Sequence, residues 1–309
     1  YVKEFKASER NLAVLMTERF GQDITKLRKQ VEEALNILEQ QTYIQRSGSL
    51  YEYLTDEEKD VEQEIKNTEI EGSNVVDELG TIVFDRIIKE TKIRAEDAPV
   101  DYAFTRMIDG RPFKRTGYEL TIHLITPFNE HAANLPVLLS QSMGRDELFI
   151  VMQPDDRLVR DLTLFMQTQK YFNQNINLAQ NERIKMILTN RQYQNNDRYR
   201  DIELQARQLL SGATFIINGA VLDLNGADPQ TKVFHGFHQL IRTTYTNLKM
   251  LPNTVYKDTD ISNYLLQTSD MFGTTELTEA ERELLNYVTL QKNNGMRITL
   301  KTLTDRFER

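Results

Sequence analysis

The chain has 309 residues, of which 39% are hydrophobic and 27% charged, a size that predicts about two domains of ordinary globular composition. It has no cysteine, which excludes a disulfide framework and a thiolate zinc site, and no apolar run approaches the roughly 20 residues of a membrane span. Its 46 acidic and 38 basic residues leave a net charge of -8, which excludes a nonspecific nucleic-acid coat protein.

The opening "YVKEFKASER" lacks the apolar core of a signal peptide, and a cysteine-free chain fits a reducing cytoplasm. Tyr1 in place of Met, and an end inside the helix-like "LKTLTDRFER", predict an excised piece of a longer polypeptide.

Residues 1–54 read as a winged-helix-like unit. "SERNLAVLMTERF" offers Ser8 as N-cap, places Leu12, Leu15, Met16 and Phe20 on one stripe, and stops at Gly21. "ITKLRKQVEEALNILEQQ" spaces Ile24, Leu27, Val31, Leu35 and Leu38 as one helix face. A hairpin turning at Gly48 follows. Residues 55–72 read as an acidic, solvated helical connector, with Thr55 and Glu58 in the spacing of a capping box.

Residues 73–154 read as an α/β module. Its signals are the helical "NVVDELGTIVFDRII", a hairpin turning at Asp109-Gly110, and the strand-like "YELTIHLITP" and "ELFIVMQP" around a helix that stops at Gly144. Residues 155–211 read as a long helical hairpin or arm. Residues 212–275 hold a hairpin at Asn218-Gly219 and the amphipathic helix "DPQTKVFHGFHQLIRTTYTNLKML". Residues 276–309 look like a partial second winged helix with a short strand at "RIT". The predicted class is α+β and helix-rich.

None of the 13 glycines is followed by lysine, and no GxGxxG occurs, so the phosphate-cradling loops of nucleotide sites are missing. His235 and His238 can share a helix side but have no third ligand at recognisable spacing. His123 reads as a strand residue with a satisfied ring. His131 has no nucleophile paired with it. Asp155 and Asp156 read as helix caps, and Arg145 as a surface-loop residue.

Nucleic acid is the more serious candidate. Lys26, Arg28 and Lys29 lie on the polar side of the second helix and Arg46 on the wing, where such modules meet phosphates and base edges. Eight acidic side chains nevertheless balance eight basic ones over residues 1–54, which favours a packing module. A second basic stretch, Arg183, Lys185, Arg191, Arg198, Arg200 and Arg207 with Tyr193 and Tyr199 interleaved, has the composition of a single-strand binder and equally of a solvated helix.

Three stretches then carry a family likeness: "SGSLYEYLTDEEKDVEQEIKNTE", "SMGRDELFIVMQPDDRLVRDL" and "ITLKTLTDRFER". They resemble the P-loop ATPase component of bacterial BREX phage-resistance systems, the BrxC/PglY family, and the likeness runs over nearly the whole chain. It implies a large AAA+-like antiviral defence protein whose ATP and Mg are bound upstream, with no cofactor in this chain. It also implies partners among the other BREX components: a methyltransferase, a PglZ-type protein and small proteins. No catalytic residue carries over, because the family's ATPase motifs match no position here.

The first expectation is therefore a non-catalytic region of such an ATPase, used in complex assembly, with double-stranded DNA as a further contact and no membrane. The alternatives are a stand-alone winged-helix DNA-binding regulator and, last, a metal-dependent hydrolase using His123, His131, His235 and His238.

Overall fold

The computed structural model describes residues 5–96, 98, 100–114, 117–177, 181–224, 226, 228–250, 257–259, 262 and 277–307. They fall into two compact units, each built from two stretches of chain: residues 1–83 with 154–209, and residues 84–153 with 210–309.

In the first unit, α1 (Glu9–Leu15) starts where the Ser8 hydroxyl accepts from the Asn11 amide. It stops at Leu15, earlier than the apolar stripe predicts. Leu15, Met16 and Phe20 are consequently exposed, and only Leu12 and Ala13 pack inward. Once the helix ends, Phe20 no longer shares a face with residues four positions back.

Helix α2 (Ile24–Gln40) is capped by Asp23, which accepts from the amides of Thr25 and Lys26 at 3.0 and 3.1 Å. Its Leu27, Val31 and Leu35 close a core with Ala13 and Ile44, as their spacing predicts. The hairpin of β1 (Ile44–Ser47) and β2 (Leu50–Tyr53) turns at Gly48, whose φ of 60° suits glycine. Residue 8 bridges antiparallel to Leu50, and the Tyr51 amide donates to the Ala7 carbonyl at 2.9 Å, so the entering chain lengthens this small sheet.

Helix α3 (Asp56–Asn67) has both halves of the expected capping box. It is not a solvated connector, however. Val61 and Ile65, four residues apart, pack on Ile187 and Leu188, with Leu164, Tyr171 and Phe172 partly buried against them. A single apolar stripe suffices to dock a helix whose other faces are acidic. Likewise α6 (Asp156–Asn175) and the start of α7 (Glu182–Ser211) form a packed hairpin inside this unit, not a free arm. The Asn195 amide donates to the Phe165 carbonyl at 3.0 Å, and the Phe165 and Tyr199 rings lie 4.6 Å apart.

Helix α4 (Gly72–Gly80) continues as a wide π-helical stretch over Thr81–Ile88, closed by the Lys89 amide donating to the Phe84 carbonyl five residues back. The second unit holds the rest: β3 (Lys92–Arg94) paired with β4 (Asp101–Ala103), and one six-stranded sheet. That sheet comprises β5 (Thr105–Ile108), β6 (Arg111–Pro112), β7 (Thr121–Ile125), β8 (Glu147–Val151), β9 (Thr214–Ile217) and β10 (Ala220–Leu222), in the order β10-β9-β8-β7-β5-β6. Strands β5, β7 and β8 run parallel; the outer three pair antiparallel to their neighbours.

Helix α5 (Leu135–Ser142) is the crossover from β7 to β8, as a parallel pair requires. The hairpins turn at Asp109-Gly110 and Asn218-Gly219, all four residues with positive φ, the type I′ geometry that such pairs predict. Helix α8 (Pro229–Thr244) packs on the sheet. A Cβ added at Gly236 would lie 3.2 Å from Leu148 side-chain carbons and 3.3 Å from the Phe215 ring.

Further along the chain come α9 (Glu279–Asn293) and α10 (Leu300–Phe307). No strand forms at 297–299, where the sequence predicts one. Residues 225, 227, 251–256, 260, 261 and 263–275 of the predicted 212–275 segment lie outside the described residues. The fold is therefore helix-rich α+β around a six-stranded sheet. No helix among the described residues is long and apolar enough to cross a membrane.

Candidate nucleic-acid interface

The first unit places the predicted basic residues unequally. At about 100° per residue, Leu27, Val31 and Leu35 form the buried stripe of α2, while Lys26 and Lys29 fall on the opposite stripe with Glu33, Asn36 and Gln40. Arg28 sits at the flank, beside the buried stripe. All three cations are exposed, and none forms an ion pair among the described residues. Lys26 and Lys29 are thus brought together, with Arg28 to one side.

Arg46 does not join them. Its Nη2 donates to Asp161 Oδ2 of α6 at 2.7 Å, and the two side chains are only 22% and 15% exposed. Burial works against the charge of Arg46, but the Asp161 carboxylate, helped by Glu39 and Tyr51, outweighs it and lifts the guanidinium above its ordinary pKa. The wing cation expected to face nucleic acid is instead tied to α6, because a charge leaving water needs a close partner.

The basic, tyrosine-bearing stretch of α7 is likewise mostly occupied. Arg183 pairs with Glu57 at 3.0 Å, Lys185 with Glu182 at 2.9 Å and Arg200 with Asp197 at 3.0 Å. Arg191 is buried, with its Nε 3.5 Å from Glu62. Arg198 donates to Asn195 at 2.7 Å. Burial holds both of these guanidiniums below their ordinary range. Tyr199 turns inward, its ring tilted against Phe165, and donates to Glu78 at 2.8 Å, which leaves Tyr193 as the exposed ring.

In the second unit, the polar residues at the carboxyl ends of the parallel strands satisfy one another. Asp109, with φ 47°, ends β5 and accepts from the Thr126 amide at 2.9 Å, the Thr126 hydroxyl at 2.6 Å and the Asn129 amide at 3.1 Å. His123 is buried on β7, where its Nε2 accepts from the Gly110 amide at 2.8 Å and its Nδ1 lies 3.1 Å from Glu147. With Nε2 accepting, the proton sits on Nδ1 and is donated to the carboxylate. That hydrogen bond is the main reason the Glu147 pKa lies below the usual carboxylate value; the Arg145 charge adds to it. His123 is the satisfied strand histidine that its sequence context predicts.

The other predicted ligands stay apart. His238 places Nε2 2.9 Å from the Arg94 carbonyl and Nδ1 2.9 Å from Glu96, while His235 points to solvent. His131 is half-buried beside Glu130. No cluster of three or more metal-ligating side chains occurs among the described residues. Asp155 caps α6 by accepting from the Leu158 amide at 2.7 Å.

Sequence reading missed a convergence in the first unit. Glu39 of α2, Arg46 of β1, Lys66 of α3 and Arg160 and Asp161 of α6 line one pocket. The Lys66 ammonium donates to the Glu39 carbonyl at 2.6 Å. Burial raises the pKa of the Glu39 carboxyl, against the opposing pull of Arg46. These residues are up to 122 positions apart in the chain, so no local spacing could signal them.

A family model described as "BREX ATP-binding protein BrxC 4th domain with six-stranded beta sheet" matches residues 68–240, more than half of the chain. The matched stretch contains all six strands of the main sheet, in agreement with that description. No solved structure matches the chain. On the family match and the sheet that accompanies it, this chain belongs to the BREX ATP-binding protein BrxC family.

Proposed function

We propose that this chain is a non-catalytic, cytoplasmic region of a BREX anti-phage defence ATPase and serves in assembling the defence complex. ATP and Mg are bound by another part of the parent protein, since no Walker A lysine follows any glycine here. The observation that carries the assembly role is the pair α9 and α10. Neither buries a residue, while Leu284, Leu285, Leu290, Met296 and Leu300 stand exposed at 39%, 51%, 57%, 63% and 84%. Apolar side chains left uncovered on several sides of a helix call for a covering partner, and in this family that partner is another protein component of the BREX system.

The test is co-elution of the chain with the other BREX components, taken singly. Leu285→Asp with Leu290→Asp should abolish one association and leave the fold intact by circular dichroism. Unchanged co-elution would refute the assembly role, and ATP hydrolysis by the chain alone would refute the non-catalytic reading.

Within this region, residues 7–54 are a winged helix in our reading. The order of a bridging segment, two helices and a hairpin supports this reading, in which α2 serves as the recognition helix. Lys26 and Lys29 on its outer stripe are the duplex contact, with Arg28 beside them. The equal count of acidic and basic side chains over residues 1–54 makes this an accessory contact of a larger assembly and disfavours a stand-alone regulator.

A further inference from the structure

The pocket in the first unit has about 370 Å³ of space, within the range of small-molecule sites. Arg46, Lys66 and Arg160 reach it from three different elements, against the carboxylates of Glu39 and Asp161. The surroundings deepen the imbalance. Arg157 Nε lies 3.6 Å from Asp161, and Arg198 acts on both carboxylates, with Glu62 as its own further counter-charge. Glu62 is shared with Arg191, and within the lining itself three cations face two carboxylates.

The donors are also underused. Arg160 has no hydrogen bond or ion pair among the described residues, and neither do the side-chain amides of Asn36 and Gln40, which share the lining. Lys66 spends its ammonium on the Glu39 carbonyl at 2.6 Å and the Thr42 hydroxyl at 3.3 Å. Leu164 adds an apolar wall. A concave, cation-rich site with unspent donors attracts an anion.

We propose that this pocket binds a phosphate monoester of about mononucleotide size. A planar carboxylate suits a single guanidinium fork, whereas a tetrahedral phosphate offers three terminal oxygens to cations arriving from three directions. Arg160 supplies the fork, Lys66 a point charge, and Arg46 the N–H groups that Asp161 and Tyr51 leave free. Asn36 and Gln40 meet polar edges of the organic body, and Leu164 lies against it. The site does not depend on the duplex contact of α2, so the two readings fail separately.

The test compares thermal unfolding of the whole chain in inorganic phosphate and in chloride, at tens of millimolar and matched ionic strength. Phosphate raises stability generally by exclusion from protein surface, so the measure is the difference between wild type and Arg160→Ala, an exposed position whose truncation spares the core. The midpoint of the wild type should rise roughly 2–4 °C more than that of the variant. Arg200→Ala, on the exposed side of α7 and away from the pocket, should respond as the wild type does.

Equal rises in wild type and Arg160→Ala, or no rise in either, would overturn the proposal. Two further arms identify the source of the phosphate, and either result supports the site. Adenosine monophosphate acting at roughly tenfold lower concentration than inorganic phosphate would mark a free ester. Inorganic phosphate displacing a short 5′-phosphorylated duplex, with adenosine monophosphate acting no better than inorganic phosphate, would mark a nucleic-acid end.

Discussion

Arg46 of β1 and Asp161 of α6 meet at 2.7 Å, and the same Asp161 Oδ2 lies 3.4 Å from the Gln205 amide and 3.6 Å from Arg157. One carboxylate thus fastens the hairpin to the helical hairpin of the first unit across 115 residues of chain. Asp161→Ala should destabilise that unit by roughly 2 kcal/mol, below the cost of breaking a fully buried pair because both partners retain some water. Denaturant unfolding of Asp161→Ala, Arg46→Ala and the double variant would measure this. Additive losses would show that the pair contributes no coupling energy.

The duplex contact makes a salt-dependent prediction. Removing one cation that meets a phosphate should flatten the plot of log affinity against log salt by about 0.9, so Lys26→Ala with Lys29→Ala should reduce the slope by nearly two. Arg28→Ala should weaken binding less. With a duplex carrying no 5′-phosphate, Arg46→Ala should leave the slope unchanged, because its guanidinium is turned to Asp161 and not to the outer stripe of α2. Fluorescence anisotropy at several salt concentrations reads all three, and a slope insensitive to the double substitution would remove α2 from the interface.

Glu147 predicts how the second unit responds to acid. Its carboxyl is held below the usual value, chiefly by the His123 hydrogen bond. A carboxylate depressed in the folded state adds stability that is fully present above its unfolded value of about 4.3 and is lost as pH falls through the folded value. Stability should therefore decline on acidification below about pH 4.3, and Glu147→Gln should show a shallower decline over that window. Parallel declines in both proteins, measured by urea unfolding at successive pH values, would exclude this carboxylate as a source.

At Gly236, α8 lies close against the side chains of the sheet. Leu148 is fully buried and Phe215 is only 2% exposed, so neither can move aside for the Cβ that would lie 3.2–3.3 Å away. Overpacking here should outweigh the helix propensity gained: Gly236→Ala should cost about 1 kcal/mol and Gly236→Val more. A stabilised Gly236→Ala variant in thermal unfolding would show that the layer can expand.

What the sequence determined by itself is local. Ser8 and Thr55 cap their helices, Leu27, Val31 and Leu35 face a core, and Asp109-Gly110 and Asn218-Gly219 turn hairpins, since each depends on residues a few positions apart. Tertiary structure decided the rest. It gave the acidic α3 a docking stripe on α7, folded the supposed arm into the first unit, left Leu15, Met16 and Phe20 uncovered, and turned Arg46 from a wing cation into the partner of Asp161. Periodicity says which side chains can share a face, but whether that face is buried, and which distant charge meets which, depends on desolvation and pairing between elements far apart in the chain.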